Sequence, residues 1–234
     1  MVQMNLQFKE VAAKVVYYGP AMSGKTTNLQ QLHKLFSPDA RGRLMSLETQ
    51  HDRTLFFDLL PIQYRTPSGL SVKLKLYTVP GQVVHNSTRK AVLAGADAVA
   101  FIADSQRSQA LSNSISFKNL KENLKLNGLD FDKMPIVVQF NKRDMEDIKP
   151  VEEIRRDWGT SRFPTFIASA LKNDGVYETF ECLLRMAFDS IDAEYGFYKK
   201  FGFDLDDFVK HLLPESMRKA VDLSARVGGG FVKS

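Results

Sequence analysis

Gly19-Pro20-Ala21-Met22-Ser23-Gly24-Lys25-Thr26 fits the pattern G-x-x-x-x-G-K-[ST] at every fixed position. Phosphate capture is the chemistry that needs this spacing. The glycines let the backbone wrap closely, so that N–H groups at a helix N-terminus point inward at an anion. The residues from Gly19 through Ala21, Met22, Ser23 and Gly24 to Lys25, Thr26 and Thr27 are therefore candidate nucleotide ligands. Lys25 would reach the terminal phosphates, and the Thr26 hydroxyl would ligate Mg²⁺. The bland alternative is a chance glycine turn with an exposed lysine. A strand-like run before the motif and helical spacing after it argue against that.

Asn141-Lys142-Arg143-Asp144 follows directly on the apolar run Ile136 to Phe140. Asn-Lys-x-Asp in that place suits guanine, because a carboxylate accepts two hydrogen bonds, from the ring N–H and the 2-amino group. Adenine offers no such donor pair, so a site built around Asp144 would be left unpaired by it. Asn141 would serve the base edge or tie this loop to the phosphate loop, with the Lys142 stem along the ring. After the next strand, Ala168-Ser169-Ala170 resembles the Ser-Ala loop whose backbone N–H contacts the guanine oxygen, which makes Ser169 and Ala170 further candidates. Alone, Asn-Lys-x-Asp is a common capped loop. Its order and register after a phosphate loop give it weight.

Segments of two periods supply the elements that must hold these loops. Residues 13–18, 43–47, 72–79, 98–103, 135–140 and 163–167 read as strands. Helical spacing predicts helices from Gly24 to Phe36, about Ser87 to Leu93, Ser112 to Leu126 and Val176 to Ile191. This alternation, with near-continuous apolar strands, predicts an α/β fold: a mostly parallel sheet, helices on both faces and right-handed crossovers. Ligands in such sheets sit at the carboxyl ends of strands, where both motifs fall. One domain is expected over residues 1–194, followed by a helical extension over 195–234. The extension opens at Tyr195-Gly196-Phe197-Tyr198, continues in a short helix with Leu205, Phe208, Val209 and Leu212, and begins a second helix at Pro214. It either packs on the domain through Phe197, Phe201, Phe203 and Phe208 or acts as a docking or autoinhibitory element.

A chain 44% hydrophobic and 25% charged is an ordinary globular protein, which excludes disordered, collagen-like and coiled-coil classes. Its 32 Lys and Arg against 27 Asp and Glu leave +5, spread along the chain, so no nucleic-acid partner is expected. Cys182, the single cysteine, cannot close an intramolecular disulfide and suits a reducing cytoplasm. The start Met1-Val2-Gln3-Met4-Asn5 reads as neither a signal peptide nor a myristoylation site, and the end offers no prenylatable cysteine. No apolar stretch approaches the ~18–20 residues that span a bilayer. The expectation is a soluble, cytoplasmic protein with no direct lipid anchor. His33, His51, His85 and His211 show no metal-ligand spacing.

Thr78-Val79-Pro80-Gly81-Gln82 lies where small GTPases carry Asp-x-x-Gly-Gln, and His51 to Asp58 is a polar-to-aromatic stretch suited to a first switch. Five segments together resemble the bacterial MglA family, the Ras-like small GTPases that set polarity and motility in gliding bacteria. They are Tyr17-Tyr18-Gly19-Pro20, Gly24-Lys25-Thr26-Thr27-Asn28-Leu29, Asp52-Arg53-Thr54-Leu55-Phe56-Phe57-Asp58, Tyr77-Thr78-Val79-Pro80-Gly81-Gln82 and Asn141-Lys142-Arg143-Asp144. The resemblance covers residues 10–194.

It implies a Ras-like P-loop NTPase fold and a GTP/GDP switch that uses Mg²⁺, hydrolyses GTP slowly and binds polarity or motility effectors in its GTP state. Gly81 would give its N–H to the γ-phosphate and Gln82 would orient the attacking water. Thr54 would ligate Mg²⁺ and sense the γ-phosphate, and Arg53 would be an arginine finger supplied in cis. Phe56 and Phe57 would belong to the surface read by a roadblock-domain GTPase-activating partner. Recruitment to a cell pole would come through partners. Spacing alone leaves Arg53 a solvated arginine and the two phenylalanines core.

Thr78 departs from the usual GTPase aspartate, though not from this family, and an uncharged hydroxyl should hold the metal less tightly. Asp104, ending an apolar strand, is a rival metal partner of the kind P-loop ATPases use, but Asn141–Asp144 has no role in such a site. A weakly hydrolysing scaffold and a P-loop ATPase stand as alternatives to the switch.

Overall fold

The computed structural model describes residues 3–5, 9–48 and 56–214. A strand β1 (Gln3–Asn5) precedes β2 (Glu10–Tyr18), the phosphate loop and α1 (Lys25–Leu35). Then come β3 (Met45–Glu48), β4 (Phe56–Arg65), β5 (Ser71–Thr78) and, after one 3₁₀ turn, α2 (Asn86–Leu93). β6 (Ala98–Asp104), α3 (Ala110–Leu126), β7 (Ile136–Asn141), α4 (Val151–Trp158), β8 (Thr165–Ile167) and α5 (Val176–Tyr195) complete the alternation. Two short helices follow, α6 (Phe197–Phe201) and α7 (Leu205–Leu212).

The strands form one eight-stranded sheet in the order β3-β4-β5-β2-β6-β7-β8, with β1 antiparallel to the start of β2. The run β5-β2-β6-β7-β8 is parallel throughout; β3, β4 and β5 pair antiparallel. This is the expected P-loop fold, with the carboxyl ends of β2, β5, β6, β7 and β8 at one edge.

Alternation along the strands divides the core into two layers. On one face Val15 and Tyr17 of β2, Leu74 and Leu76 of β5 and Ala100 and Ile102 of β6 meet α1, α5 and α7. On the other, Val16 and Tyr18, Val99 and Phe101, and Ile136 and Val138 meet α2, α3 and α4. All residues of β6 and β7 are buried, because helices cover both faces there. β5 differs from the expected apolar run. Its burial alternates, and Lys73 and Lys75 stand on the less covered face.

Several elements escaped the sequence: β1, α6 where a break was expected at Tyr195–Tyr198, and above all β4 and α4. β4 is a ten-residue strand where a switch stretch ending at Asp58 was expected. Its burial alternates, with Asp58, Leu60 and Ile62 inside and Gln63 and Arg65 outside, and Pro61 interrupts the apolar signal. α4 hides its buried Ile154 among Glu152, Glu153, Arg155, Arg156 and Asp157, so it reads as a polar loop.

Within the extension, Phe203, Phe208, Val209 and Leu212 enter the same core as α1 and α5. Tyr64 of β4 stacks on Phe208 at 5.4 Å, the Leu212 carbonyl accepts from Ser37 N at 2.8 Å, and Arg185 of α5 pairs with Asp206 at 2.9 Å. The packing role drawn from Phe203 and Phe208 matches this geometry. The second helix expected from Pro214 lies outside the described residues. Among the described residues, no helix is long and apolar enough to cross a membrane.

Candidate nucleotide site

The phosphate loop leaves β2 at Tyr18 and enters α1 at Lys25, so its backbone closes around the N-terminus of that helix. Gly24, the residue before α1, has φ +95°, and a Cβ there would fall 2.2 Å from Asn141 Nδ2. Only glycine combines that left-handed conformation with that clearance. Met22, also left-handed at φ 59°, projects into solvent. Ser23 is fully buried, and its Oγ has no hydrogen-bond partner among the described residues. An unpartnered buried hydroxyl inside a phosphate cradle suits an oxyanion ligand.

Lys25 is buried, with Nζ 2.6 Å from the Pro20 carbonyl and 3.4 Å from that of Gly19. Burial, seconded by the charge of Arg89 and opposed by that of Asp58, brings its ammonium pKa down to about 7. Anionic phosphates are the groups that would restore its charge. Thr26 lies exposed beside it, and Thr27 is half-buried in the same first turn.

The carboxylate missing from position 78 is supplied by the neighbouring strand. Thr26 Oγ1 donates to Asp58 Oδ2 at 2.6 Å, and Thr78 Oγ1 donates to the same oxygen at 3.0 Å. Ser46 Oγ donates to Asp58 Oδ1 at 2.7 Å, and the Asp58 N–H returns a bond to Thr78 Oγ1 at 2.8 Å. Thr78 is thus an anchor for Asp58. The Thr26 oxygen, donating its proton to Asp58, keeps lone pairs for a cation. Hydroxyl and carboxylate oxygens are the hard donors Mg²⁺ takes, with phosphates and water completing its shell, so these residues fit the ion.

Asp58 is a candidate site residue that sequence reasoning missed. Its signal was an acidic residue set between Phe56-Phe57 and Leu59-Leu60, in a chain lacking the expected acid at 78. The rival, Asp104, is buried elsewhere in the edge. Its Oδ2 pairs with Lys142 Nζ at 2.7 Å and its Oδ1 accepts from Gln106 N at 3.0 Å.

Asn141 joins the base loop to the phosphate loop. Its Nδ2 donates to Ser23 O at 2.8 Å, and its Oδ1 accepts from Ala170 N at 2.8 Å. Of the two roles open to it, the structure gives it the tie. The Ala170 N–H, expected to face the guanine oxygen, is engaged by Asn141. Asp144 accepts from Ser169 Oγ at 2.5 Å. That hydroxyl, above all, holds the Asp144 carboxyl below its ordinary range, with Lys172 and Lys142 adding to it against some burial. Lys142 adopts φ 67°, which turns its stem back across the loop toward Asp104.

Gly81 packs on the phosphate loop so closely that a Cβ would lie 2.3 Å from Ala21 Cα. Gln82 follows, exposed, at the start of the 3₁₀ turn Val83–His85. Phe57 leans on Tyr77 with ring centroids 6.2 Å apart, against the core. His51, Arg53 and Thr54 lie outside the described residues. Phosphate loop, Gly81 and base loop nonetheless lie at one edge of the sheet, where Asp58 joins them.

The chain matches the family model of the ADP-ribosylation factor family over residues 1–187. It is also 41% identical, over 183 residues, to the mutual gliding-motility protein MglA of Myxococcus xanthus (strain DK1622). That alignment covers 78% of this chain and 94% of the relative.

Proposed function

The chain belongs to the ADP-ribosylation factor family, a small GTPase that hydrolyses GTP, and from that premise we propose that it switches cell polarity or motility. In its GTP state it binds effector proteins of that process; hydrolysis to GDP releases them. A roadblock-domain partner accelerates hydrolysis, and any polar placement comes through partners. The resemblance in five segments and the gliding-motility relative support this finer reading.

Asn141 is the observation that carries the nucleotide assignment. By bonding Ser23 O and Ala170 N, it sets the Asp144 carboxylate in a fixed relation to the phosphate loop. Guanine answers that carboxylate with two donors. Lys25 exchanges the carbonyls of Gly19 and Pro20 for β- and γ-phosphate oxygens, and Gly81 N–H meets the γ-phosphate.

Water attacks the γ-phosphorus in line, oriented by the Gln82 side chain, whose exposure leaves it free to turn inward. Thr26 and Thr54 would hold Mg²⁺, with Asp58 behind Thr26, and the ion would supply charge neutralisation on the phosphates. Arg53 and Lys25 stabilise charge that develops on the transferred group.

Gln82→Leu and Arg53→Ala test these roles. Each should retain GTP binding while lowering single-turnover hydrolysis by about tenfold or more, as for a contact made only in the transition state. Wild-type rates in both would remove the assignment.

A further inference from the structure

Arg89, on α2, is the largest fully buried side chain in the described structure, with no solvent exposure. Nothing in the switch reading uses it. Nη1 donates to three backbone carbonyls, Gly19 at 3.2 Å, Pro80 at 2.9 Å and Gly81 at 2.9 Å. On its other side, Nε donates to Tyr18 Oη at 3.1 Å and Asn119 Oδ1 at 2.9 Å, and Nη2 donates to Ser116 Oγ at 2.9 Å. The guanidinium also lies 4.2 Å over the Tyr18 ring. Every one of these partners is neutral, and among the described residues no carboxylate pairs with it.

A buried cation without a counter-ion is an expensive way to fill a core. Apolar side chains of similar volume generally serve stability as well or better. What an apolar residue cannot do is donate in several fixed directions at once, as a planar guanidinium does. Here those directions join the residue that opens the phosphate loop, Gly19, to the Pro80-Gly81 segment. Ala21 packs closely against Gly81 of the same segment. The Gly81–Gln82 peptide is therefore gripped by its carbonyl from Arg89 while Gly81 rests on the phosphate loop.

We infer that Arg89 is a positioning residue for hydrolysis: by clasping the carbonyls of Gly19, Pro80 and Gly81 it fixes the peptide from which Gln82 reaches the attacking water. Tyr18, Ser116 and Asn119 hold the clasp in place from behind. Asn119 is itself braced, since Asn119 and Asn123 both donate to Asn86 Oδ1 at 2.8 Å. The inference rests on the role given to Gln82 above, and it predicts an effect on the hydrolytic step distinct from nucleotide binding. The phosphate loop also has a tie that does not involve Arg89, from Asn141 Nδ2 to the Ser23 carbonyl.

The test compares the full-length wild type with Arg89→Lys, Ser116→Ala, Gln82→Leu and Ile154→Ala. Ile154 is buried on α4, away from the clasp, and its variant controls for lost stability. Two quantities are read: the single-turnover rate constant at saturating GTP with Mg²⁺, and the dissociation constant for GDP. Arg89→Lys keeps the charge but loses the fork, and it should lower the rate constant about tenfold or more while GDP affinity changes less than about threefold. Ser116→Ala should move the rate in the same direction by a smaller factor, and Ile154→Ala should change neither quantity.

Wild-type hydrolysis in both Arg89→Lys and Ser116→Ala would overturn the inference. So would a fall in GDP affinity in step with the rate. If Arg89→Lys does not fold, Ser116→Ala decides by the same two readings. A wild-type rate in Gln82→Leu would instead overturn the role of Gln82.

Discussion

Asp58 and Thr78 face each other where the β4–β5 ladder ends, and each bonds the other. The Thr78 hydroxyl accepts the Asp58 amide at 2.8 Å and donates to its carboxylate at 3.0 Å. The pair places a negative charge 2.6 Å from the Thr26 hydroxyl, though the residue at the usual acidic position has none. A GTPase with threonine at that position therefore need not be poor in metal-site charge; the charge has moved one strand over.

Replacing Asp58 by Asn should keep contacts to the three hydroxyls, the amide oxygen accepting as before and the amide nitrogen donating in place of the other oxygen, while removing that charge. The Mg²⁺ concentration that half-maximally slows GDP release should rise about tenfold or more, the value of one charge-assisted interaction. Thermal unfolding without Mg²⁺ should shift little. A magnesium titration monitored by release of fluorescent GDP reads the first quantity. An unchanged midpoint would return the metal site to Thr26 and Thr54 alone.

Asp144 predicts a ranking of nucleotides. Inosine keeps the ring N–H of guanine but lacks its 2-amino group, so the carboxylate loses one of two donors. Inosine diphosphate should bind about tenfold or more weakly than GDP, as one hydrogen bond to a charged group is worth. Asp144→Ala should erase most of that difference. Competition against fluorescent GDP measures both, and an equal ranking in the wild type would contradict the base assignment.

Lys25 should make nucleotide binding take up protons. Its ammonium pKa is held down to about 7 by burial and Arg89, and bound phosphates favour the charged form and raise it again. Above about pH 7 the lysine binds a proton as the phosphates arrive. Below about pH 6 it is already charged and takes up none. Calorimetric titrations of nucleotide-free protein with GDP, in buffers of different ionisation enthalpy, should show proton uptake growing from pH 6 to pH 8. Proton release over that range would contradict the sign.

Ending the chain at Tyr195 should cost stability first. Phe208, Val209 and Leu212 are buried in the core, each worth about 1.5–3 kcal/mol. At roughly 2–4 °C per kcal/mol for a domain of this size, the melting temperature should fall by about 10 °C or more. If hydrolysis and exchange measured well below that temperature stay unchanged, residues 196–234 have no docking or autoinhibitory role in them; altered exchange would point to one.

Legibility followed how local each signal is. The phosphate loop and Asn141–Asp144 are contiguous motifs, and their placement at strand ends came directly from the apolar runs of β2 and β7. Asp58 was hidden because its role depends on cross-strand pairing with a residue 20 positions away, and because β4 itself was masked by Pro61 and an alternating pattern. Arg89 was hidden differently. Within Ser87–Leu93 it reads as a cation on a helix surface, and only the packing of α2 reveals its partners, the Pro80 and Gly81 carbonyls on one side and Ser116 of α3 on the other. α4 was lost because five charged residues surround its buried Ile154.

The most direct measurement is single-turnover hydrolysis by the full-length protein, freed of nucleotide, loaded with GTP and Mg²⁺, and followed without partners in excess ATP. A slow, measurable conversion of GTP to GDP that ATP does not alter is the predicted result. Displacement of GTP by ATP would contradict the guanine site built around Asp144 and Asn141, and tight GTP retention without any hydrolysis would contradict the roles given to Gln82 and Arg53.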